Sequence, residues 1–159
     1  MSPWLAGVRA EIGNALLMLP SAAGVLFDDD ARMLVVRDLD SGNWVAPGGY
    51  LDPDETPREC CERELREELG VRVRATRLLG TFSGPEFRIT YRNGHEVQPA
   101  ITCFECELLD LDAVIVTDGE EIGEHRWVTP DELRALPLQP WATTTLPRLW
   151  SARERPLLS

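Results

Sequence analysis

Residues 56–70 read Thr-Pro-Arg-Glu-Cys-Cys-Glu-Arg-Glu-Leu-Arg-Glu-Glu-Leu-Gly, and helix punctuation brackets them on both sides. Thr56 can cap the first turn, Pro57 suits its first position, and Glu59 completes a T-x-x-E capping box. Gly70 supplies a C-terminal stop. With Glu64 at the origin and about 100° per residue, Glu67 falls near roughly −60° and Glu68 near roughly +40°. Three carboxylates therefore share an arc of about 100°. Leu65 and Leu69 lie beside that arc and give the helix a core-facing flank. Like charges at i, i+3 and i+4 repel one another and destabilise a bare helix. A cation removes that cost, and hard divalent ions such as Mg²⁺ or Mn²⁺ take carboxylate oxygens. Arg63 is placed to pair with Glu67 at i,i+4 or to brace a neighbouring carboxylate. The competing reading of any such charge run is a solvated helix face. Gly48-Gly49 just before the helix and Glu55 at its mouth favour a site instead. A loop, a helix N-terminus and a carboxylate cluster then share one unit, as phosphate chemistry on a metal requires.

Composition narrows the ligand. The 159 residues hold 27 acidic and 16 basic side chains, a net charge of −11, and all 16 basic residues are arginine. Without lysine, Schiff-base catalysis is excluded. An acidic surface disfavours nucleic acid and anionic membranes as partners, since both demand Lys and Arg. An anionic small molecule would need something other than the net charge to hold it, and a metal ion does that. No apolar run approaches the ~20 residues that span a bilayer. The start, Met-Ser-Pro-Trp-Leu-Ala-Gly-Val-Arg, has neither the basic region nor the apolar run of a signal peptide, so the expected location is cytoplasmic. The length fits one domain over residues 1–159. Cys60 and Cys61 are adjacent, and Cys103 and Cys106 form one C-x-x-C on a strand-like segment. Positions three apart on a strand face opposite sides, so these thiols read as packing residues rather than a zinc or redox site. His95 and His125 form no metal spacing and read as structural.

The rest of the chain alternates strand and turn signals. Leu16 to Phe27 and Met33 to Arg37 are apolar and β-prone, with Asp28-Asp29-Asp30 between them, which predicts a hairpin. A loop from Asp38 to Asn43 leads into Trp44-Val45-Ala46, and Pro47-Gly48-Gly49 breaks the pattern. Strands are expected at Arg72–Phe82, Phe87–Tyr91, Val97–Leu109 and Glu121–Val128, with Arg92-Asn93-Gly94-His95 as a hairpin turn. Thr129 followed by Pro130-Asp131-Glu132-Leu133 opens a short helix, and Leu138–Ala152 reads as a last one interrupted by Pro147. Hairpins interleaved with helices suggest a mixed sheet packed between helices.

The run Gly49, five residues, Glu55, seven residues, Arg63-Glu64-Leu65, one residue, Glu67-Glu68, one residue, Gly70-Val71 resembles the Nudix box without a departure, at nine fixed positions over 23 residues. The likeness continues on both sides. Leu34-Val35-Val36-Arg37 and Trp44–Gly49 resemble the strand and loop before the box. Glu121, Glu124, Arg126-Trp127 and Asp131-Glu132-Leu133 resemble the strand and helix that end the domain. The resemblance implies an α/β/α sandwich with a mixed sheet, the box forming a loop–helix–loop. It implies hydrolysis of a nucleoside diphosphate linked to another moiety, with Mg²⁺ or Mn²⁺ as cofactor and a small-molecule nucleotide as substrate. Many relatives are homodimers. By position, Glu64, Glu67 and Glu68 would hold the metal, although the equivalent of Glu64 is the base in some members. Glu55 and Arg63 would orient the cluster, and Gly48 and Gly49 would shape its approach. A further ligand or base often lies outside the box. Within Asp118–Glu124, Glu121 is the first choice, with Glu120 and Glu124 as alternatives.

Two more residues are candidates for substrate contact. Trp44 can stack a nucleobase or pack in the core. Arg37 can reach a phosphate with its planar fork or sit exposed on a strand. The substrate stays open between nucleoside triphosphates and ADP-ribose or NDP-sugar compounds. Members that cleave ADP-ribose often carry a proline a little after the box, and Pro85 falls fourteen residues after Val71. The other functional class is a nucleotide-binding regulatory module without turnover. Lost box carboxylates would mark it, and this box has lost none.

Overall fold

The computed structural model describes residues 2–110, 112–152 and 157–158. Its architecture follows from strand β1 (Leu17–Leu26), which is buried without interruption from Ser21 to Leu26. An alternating pattern would leave one face to solvent, so unbroken burial means that both faces of this half are covered. β1 is flanked by β4 (Gly48–Tyr50) and β7 (Glu96–Leu108), and β5 (Val73–Phe82) and β9 (Leu157–Leu158) continue the sheet beyond β7. Short β6 (Ile89–Thr90) also pairs with β7. β1 runs parallel to β7 from Leu17↔Val97 to Leu26↔Cys106, whereas β4 and β5 are antiparallel to their neighbours. The sheet is mixed, as expected. A second, antiparallel sheet sets β2 (Met33–Asp38) between β3 (Trp44–Val45) and β8 (Ile122–Val128).

Helix α2 (Pro57–Leu69) packs on β1, β4, β5 and β7. Its buried residues are Cys60, Cys61, Leu65, Glu68 and Leu69, so the apolar flank faces the sheet and one carboxylate goes with it. The C-terminal helices α3 (Pro130–Ala135) and α4 (Pro140–Ser151) pack together, and α4 also covers β5 and a 3-10 turn over Pro85–Phe87. There Phe87 stacks between Phe82 and Trp141, with ring centroids 6.4 and 6.5 Å apart. All four cysteines are free and buried, and Sγ of Cys61 on α2 lies 3.5 Å from Sγ of Cys106 on β7. Burial pushes the Cys103 thiol up to about 12. Such thiols are packing groups.

Four expectations need correction. The Asp28–Asp30 turn forms, with Asp28 N–H donating to Arg32 C=O, but β1 and β2 do not make a hairpin. They share one bridge, Phe27↔Met33, and then part into different sheets because β1 takes β7 as its partner. Gly48-Gly49 does not merely break the chain: with Tyr50 it forms β4, in register with Ala23, Ala22 and Ser21. The expected strand Phe87–Tyr91 shrinks to Ile89–Thr90, since Pro85 opens the 3-10 turn. Finally, Pro147 does not interrupt the last helix, which runs unbroken over Pro140–Ser151; a helix that no sequence expectation covered, α1 (Pro3–Ile12), precedes β1, capped by Ser2 and ended at Gly13. No helix among the described residues is long and apolar enough to cross a membrane.

Candidate active site

Gly48 and Gly49 let β4 and α2 approach more closely than side chains permit. Gly48 has φ 152°, and a Cβ there would stand 2.2 Å from the Ala22 carbonyl oxygen. A Cβ on Gly49 would lie 2.3 Å from Oε1 of Glu64. The first obstacle is backbone and cannot yield; the second is the tip of a carboxylate held in place by an arginine. The space above β4 is therefore reserved for the acidic side chains of the helix. Those side chains arrive correctly because α2 starts at a fixed residue: Thr56 accepts from Glu59 N–H, and the Glu59 carboxylate accepts from Thr56 N–H. Gly70, at φ 67°, ends the helix.

Arg63 is the hub of the charged cluster. Its Nε and Nη2 bind the two oxygens of Glu55 at 2.7 and 2.9 Å, a bidentate pair. Nη1 donates to Glu64 at 2.8 Å and to Glu67 at 3.1 Å, and Nη2 also reaches the Tyr50 carbonyl at 3.1 Å. The pairing with Glu67 and the bracing of a neighbour, two alternatives at the level of sequence, both occur. The guanidinium holds the Glu55 carboxyl below the usual carboxylate range, helped by the Asp52 N–H. Glu55 and Glu64 raise Arg63 in turn, chiefly through the Glu55 hydrogen bond.

Glu64 and Glu68 behave differently from Glu55. Burial, with the charges of Glu67 and Glu121 in support, pushes Glu64 up against the pull of Arg63. Glu68 is 6% exposed and is pushed well above the usual range, first by burial and then by Glu64, Glu121 and Asp118. A single backbone donor opposes this: Gly48 N–H, 3.0 Å from Oε2 of Glu68. The cluster thus holds more negative charge than one arginine neutralises, which is the electrostatic condition for taking up a cation. Its donors are carboxylate oxygens, the type that hard divalent ions prefer. Among the described residues no three His, Cys, Asp or Glu side chains already converge on one point. Arg63 occupies oxygens of Glu64 and Glu67 instead.

Outside the box, Glu121 lies in the turn just before β8, and its charge acts on both Glu64 and Glu68. Glu124 sits elsewhere, with one oxygen 3.1 Å from Nη1 of Arg37 and the other 3.7 Å from Arg126. Arg37 and Glu124 face each other across the β2–β8 ladder, so this arginine is a cross-strand ion-pair partner here. Glu120 is exposed beside Glu121, its N–H held by Asp118. Trp44 is 3% exposed, with the Arg126 guanidinium 4.7 Å from its ring centroid, so it packs in the core and offers no open stacking face. No sequence expectation covers the hydroxyl pair of Tyr50, at the end of β4, and Tyr91, 2.7 Å apart. Tyr91 opens the 91–95 turn, with Tyr91 N–H donating to His95 C=O and Gly94 N–H to Tyr91 C=O, so the pair sets that turn beside β4. Forty-one residues separate the two tyrosines, and no local pattern signals their meeting.

A profile of the NUDIX domain matches residues 18–149. A MutT-like protein of Streptomyces ambofaciens is 36% identical over 113 residues, covering 71% of this chain and 65% of that protein. The chain thus spans just under two thirds of that relative's length. The nucleoside triphosphatase NudI of Enterobacter sp. (strain 638) is 33% identical over 110 residues, 67% of this chain and 76% of the relative. Among solved structures, a UDP-X diphosphatase superposes with a TM-score of 0.70 at 22% identity, over 99% of this chain and 74% of that one. A MutT protein from Methanosarcina mazei Go1 gives 0.67 at 18% identity, over 89% and 99%. At those identities the structural likeness speaks for the fold. The profile match and the sequence relatives, together with an intact box on α2, place the chain in the Nudix hydrolase family.

Proposed function

We propose that this chain is a nucleotide pyrophosphohydrolase that depends on Mg²⁺ or Mn²⁺ and cleaves a nucleoside diphosphate linked to another moiety. The observation that carries the reading is the under-neutralised pair of buried Glu68 and part-buried Glu64, packed against Gly48-Gly49. In this reading Glu64, Glu67, Glu68 and Glu121 hold the metal. When bound, the ion supplies neutralisation of the pyrophosphate oxygens and acidifies a water for attack at phosphorus. The chain's own residues do the positioning. Glu55 fixes Arg63, Arg63 fixes Glu64 and Glu67, and Gly48 N–H fixes Glu68. The two glycines keep the approach clear. The water oxygen would bond to phosphorus as its proton passes to a carboxylate of the cluster or to solvent, and the bridging P–O bond would break with its electron pair leaving on the departing phosphate.

Nucleoside triphosphates come first as substrates, because sequence relatives at 31–33% identity bear the name nucleoside triphosphatase. ADP-ribose and NDP-sugars come second, on the position of Pro85 and the names of structural neighbours, a UDP-X diphosphatase and an ADP-ribose pyrophosphatase. Four free, buried thiols suit a reducing compartment, and we place the protein in the cytoplasm. The test is a panel of nucleotides incubated with Mg²⁺, with Mn²⁺ and with chelator. Metal-dependent release of nucleoside monophosphate from one class supports the reading and names the substrate. A flat panel together with tight nucleotide binding by calorimetry overturns it in favour of a regulatory module.

A further inference from the structure

Asp118 stands three residues before Glu121, at the start of the turn into β8, and it is exposed. One of its oxygens, Oδ1, accepts three backbone N–H groups: Glu120 at 3.0 Å, Glu121 at 3.2 Å and Ile122 at 2.9 Å. Gly119 N–H closes the same turn on Ile122 C=O at 3.0 Å, and Leu39 N–H donates to Glu121 C=O at 2.9 Å. The backbone of Asp118 is tied in another direction. Its N–H donates to Glu68 C=O at 3.0 Å, and Val116 N–H donates to Leu69 C=O at 3.0 Å, both among the last carbonyls of α2. One residue therefore joins the helix that carries Glu64, Glu67 and Glu68 to the turn that carries Glu121. Without this joint, Glu121 would sit on an exposed turn between Gly119 and Gly123, and fixing it against the helix would cost conformational entropy at each binding event.

We propose that Asp118 is a positioning residue. Its Oδ1 and its N–H together set Glu121 against the carboxylates of α2. The proposal rests on the reading of Glu121 as a metal ligand. Asp118 is assigned no contact with metal or substrate and acts through Glu121. Because one oxygen takes all three donors, an amide oxygen can replace it, so Asp118→Asn keeps the turn while Asp118→Ala loses it. The alanine variant removes no buried side chain.

The test is the dissociation constant of Mn²⁺ alone, measured by EPR on the whole chain for the parent, D118A, D118N, E121Q and D118A/E121Q, with the Tm of each. E121Q is expected to weaken Mn²⁺ by about tenfold or more, D118A by about tenfold, and D118N, which loses only the charge that Asp118 adds near Glu68, by much less than D118A. In the E121Q background D118A should weaken Mn²⁺ no more than the lost charge does in D118N, since the rest of its effect passes through the lost carboxylate. Losses that multiply in the double variant overturn the proposal, and so does parent-like affinity of D118A beside a weakened E121Q. Parent-like affinity of E121Q itself overturns it too, and that pattern places the fault in the assignment of Glu121 rather than in Asp118.

Discussion

Glu68 is 6% exposed, accepts one backbone hydrogen bond from Gly48, and has Glu64, Glu121 and Asp118 adding negative charge around it. Its folded pKa is raised above the unfolded value, so the folded state binds the extra proton. The resulting stability is full below the ordinary carboxylate range and is lost as pH rises through the raised pKa. Glu64 acts in the same direction. In chelator, the Tm of the parent should therefore fall as pH rises from about 5 towards neutrality, the ordinary Glu value being about 4.3. Glu68→Gln keeps an oxygen for Gly48 N–H and removes the charge, so in chelator at neutral pH its Tm should exceed the parent's and vary less with pH. Mn²⁺ should raise the parent's Tm and do much less for the variant, because a ligand that binds only the folded state stabilises it. A scanning thermal melt across pH, with and without Mn²⁺, checks all three. The three glutamates and Arg63 were legible in sequence because they lie within one capped helix whose period fixes their directions; Glu55 lies before the cap, and its orienting role came from the resemblance to the box. Asp118, Tyr50 and Tyr91 were not legible, since their partners lie across turns and strands that local periodicity does not reach.

At the scale of elements, α2 illustrates what local signals can decide. Its two ends fall where Thr56 and Gly70 put them. The same holds for α3, whose Thr129 and Glu132 make a second capping box. Strand partners were a different matter. The Asp28–Asp30 turn invites a hairpin, but β1 finds ten partners in β7, some eighty residues away, and only one bridge in β2. Burial on both faces outweighs the entropy of closing that long loop, and no turn signal reports it. β4 escaped notice for a related reason: glycines weaken a strand signal, yet here they are what lets backbone pass against β1 and under Glu64. Gly48→Ala tests that account. A side chain at φ 152° is strained and its Cβ meets the Ala22 carbonyl, so β4 must move, and a loss of about 1–3 kcal/mol of stability is expected. The displacement also carries the Gly48 N–H away from Glu68, so metal affinity should drop with it. Denaturant unfolding and Mn²⁺ titration on the same samples read both effects.

For the whole molecule the central tension is one of charge. A chain with a net charge of −11 is read as binding an anionic nucleotide. Only the metal reverses the field, and only locally, while the rest of the surface repels the approaching substrate. With Mn²⁺ kept saturating, kcat/KM should rise as ionic strength goes from about 0.01 to 0.15 M, because the Debye length shrinks from about 30 to 8 Å and screens that repulsion. A fall over the same range would place an electropositive surface at the entrance and contradict this picture. The family and its fold were legible through the box on one helix and the glycines before it; the loops that shape the substrate pocket depend on side chains far apart in sequence, which is why the proposed base and second moiety rest on relatives' names.

The most direct measurement is the hydrolysis rate of Glu67→Gln against the parent at saturating Mn²⁺. Glu67 is half-exposed, and among the described residues its ion pair is with Arg63. The rate should be lower by several orders of magnitude with Tm in chelator unchanged, as expected on losing a ligand that stabilises charge in the transition state. A rate near the parent's would contradict that expectation and remove the box carboxylates from the metal.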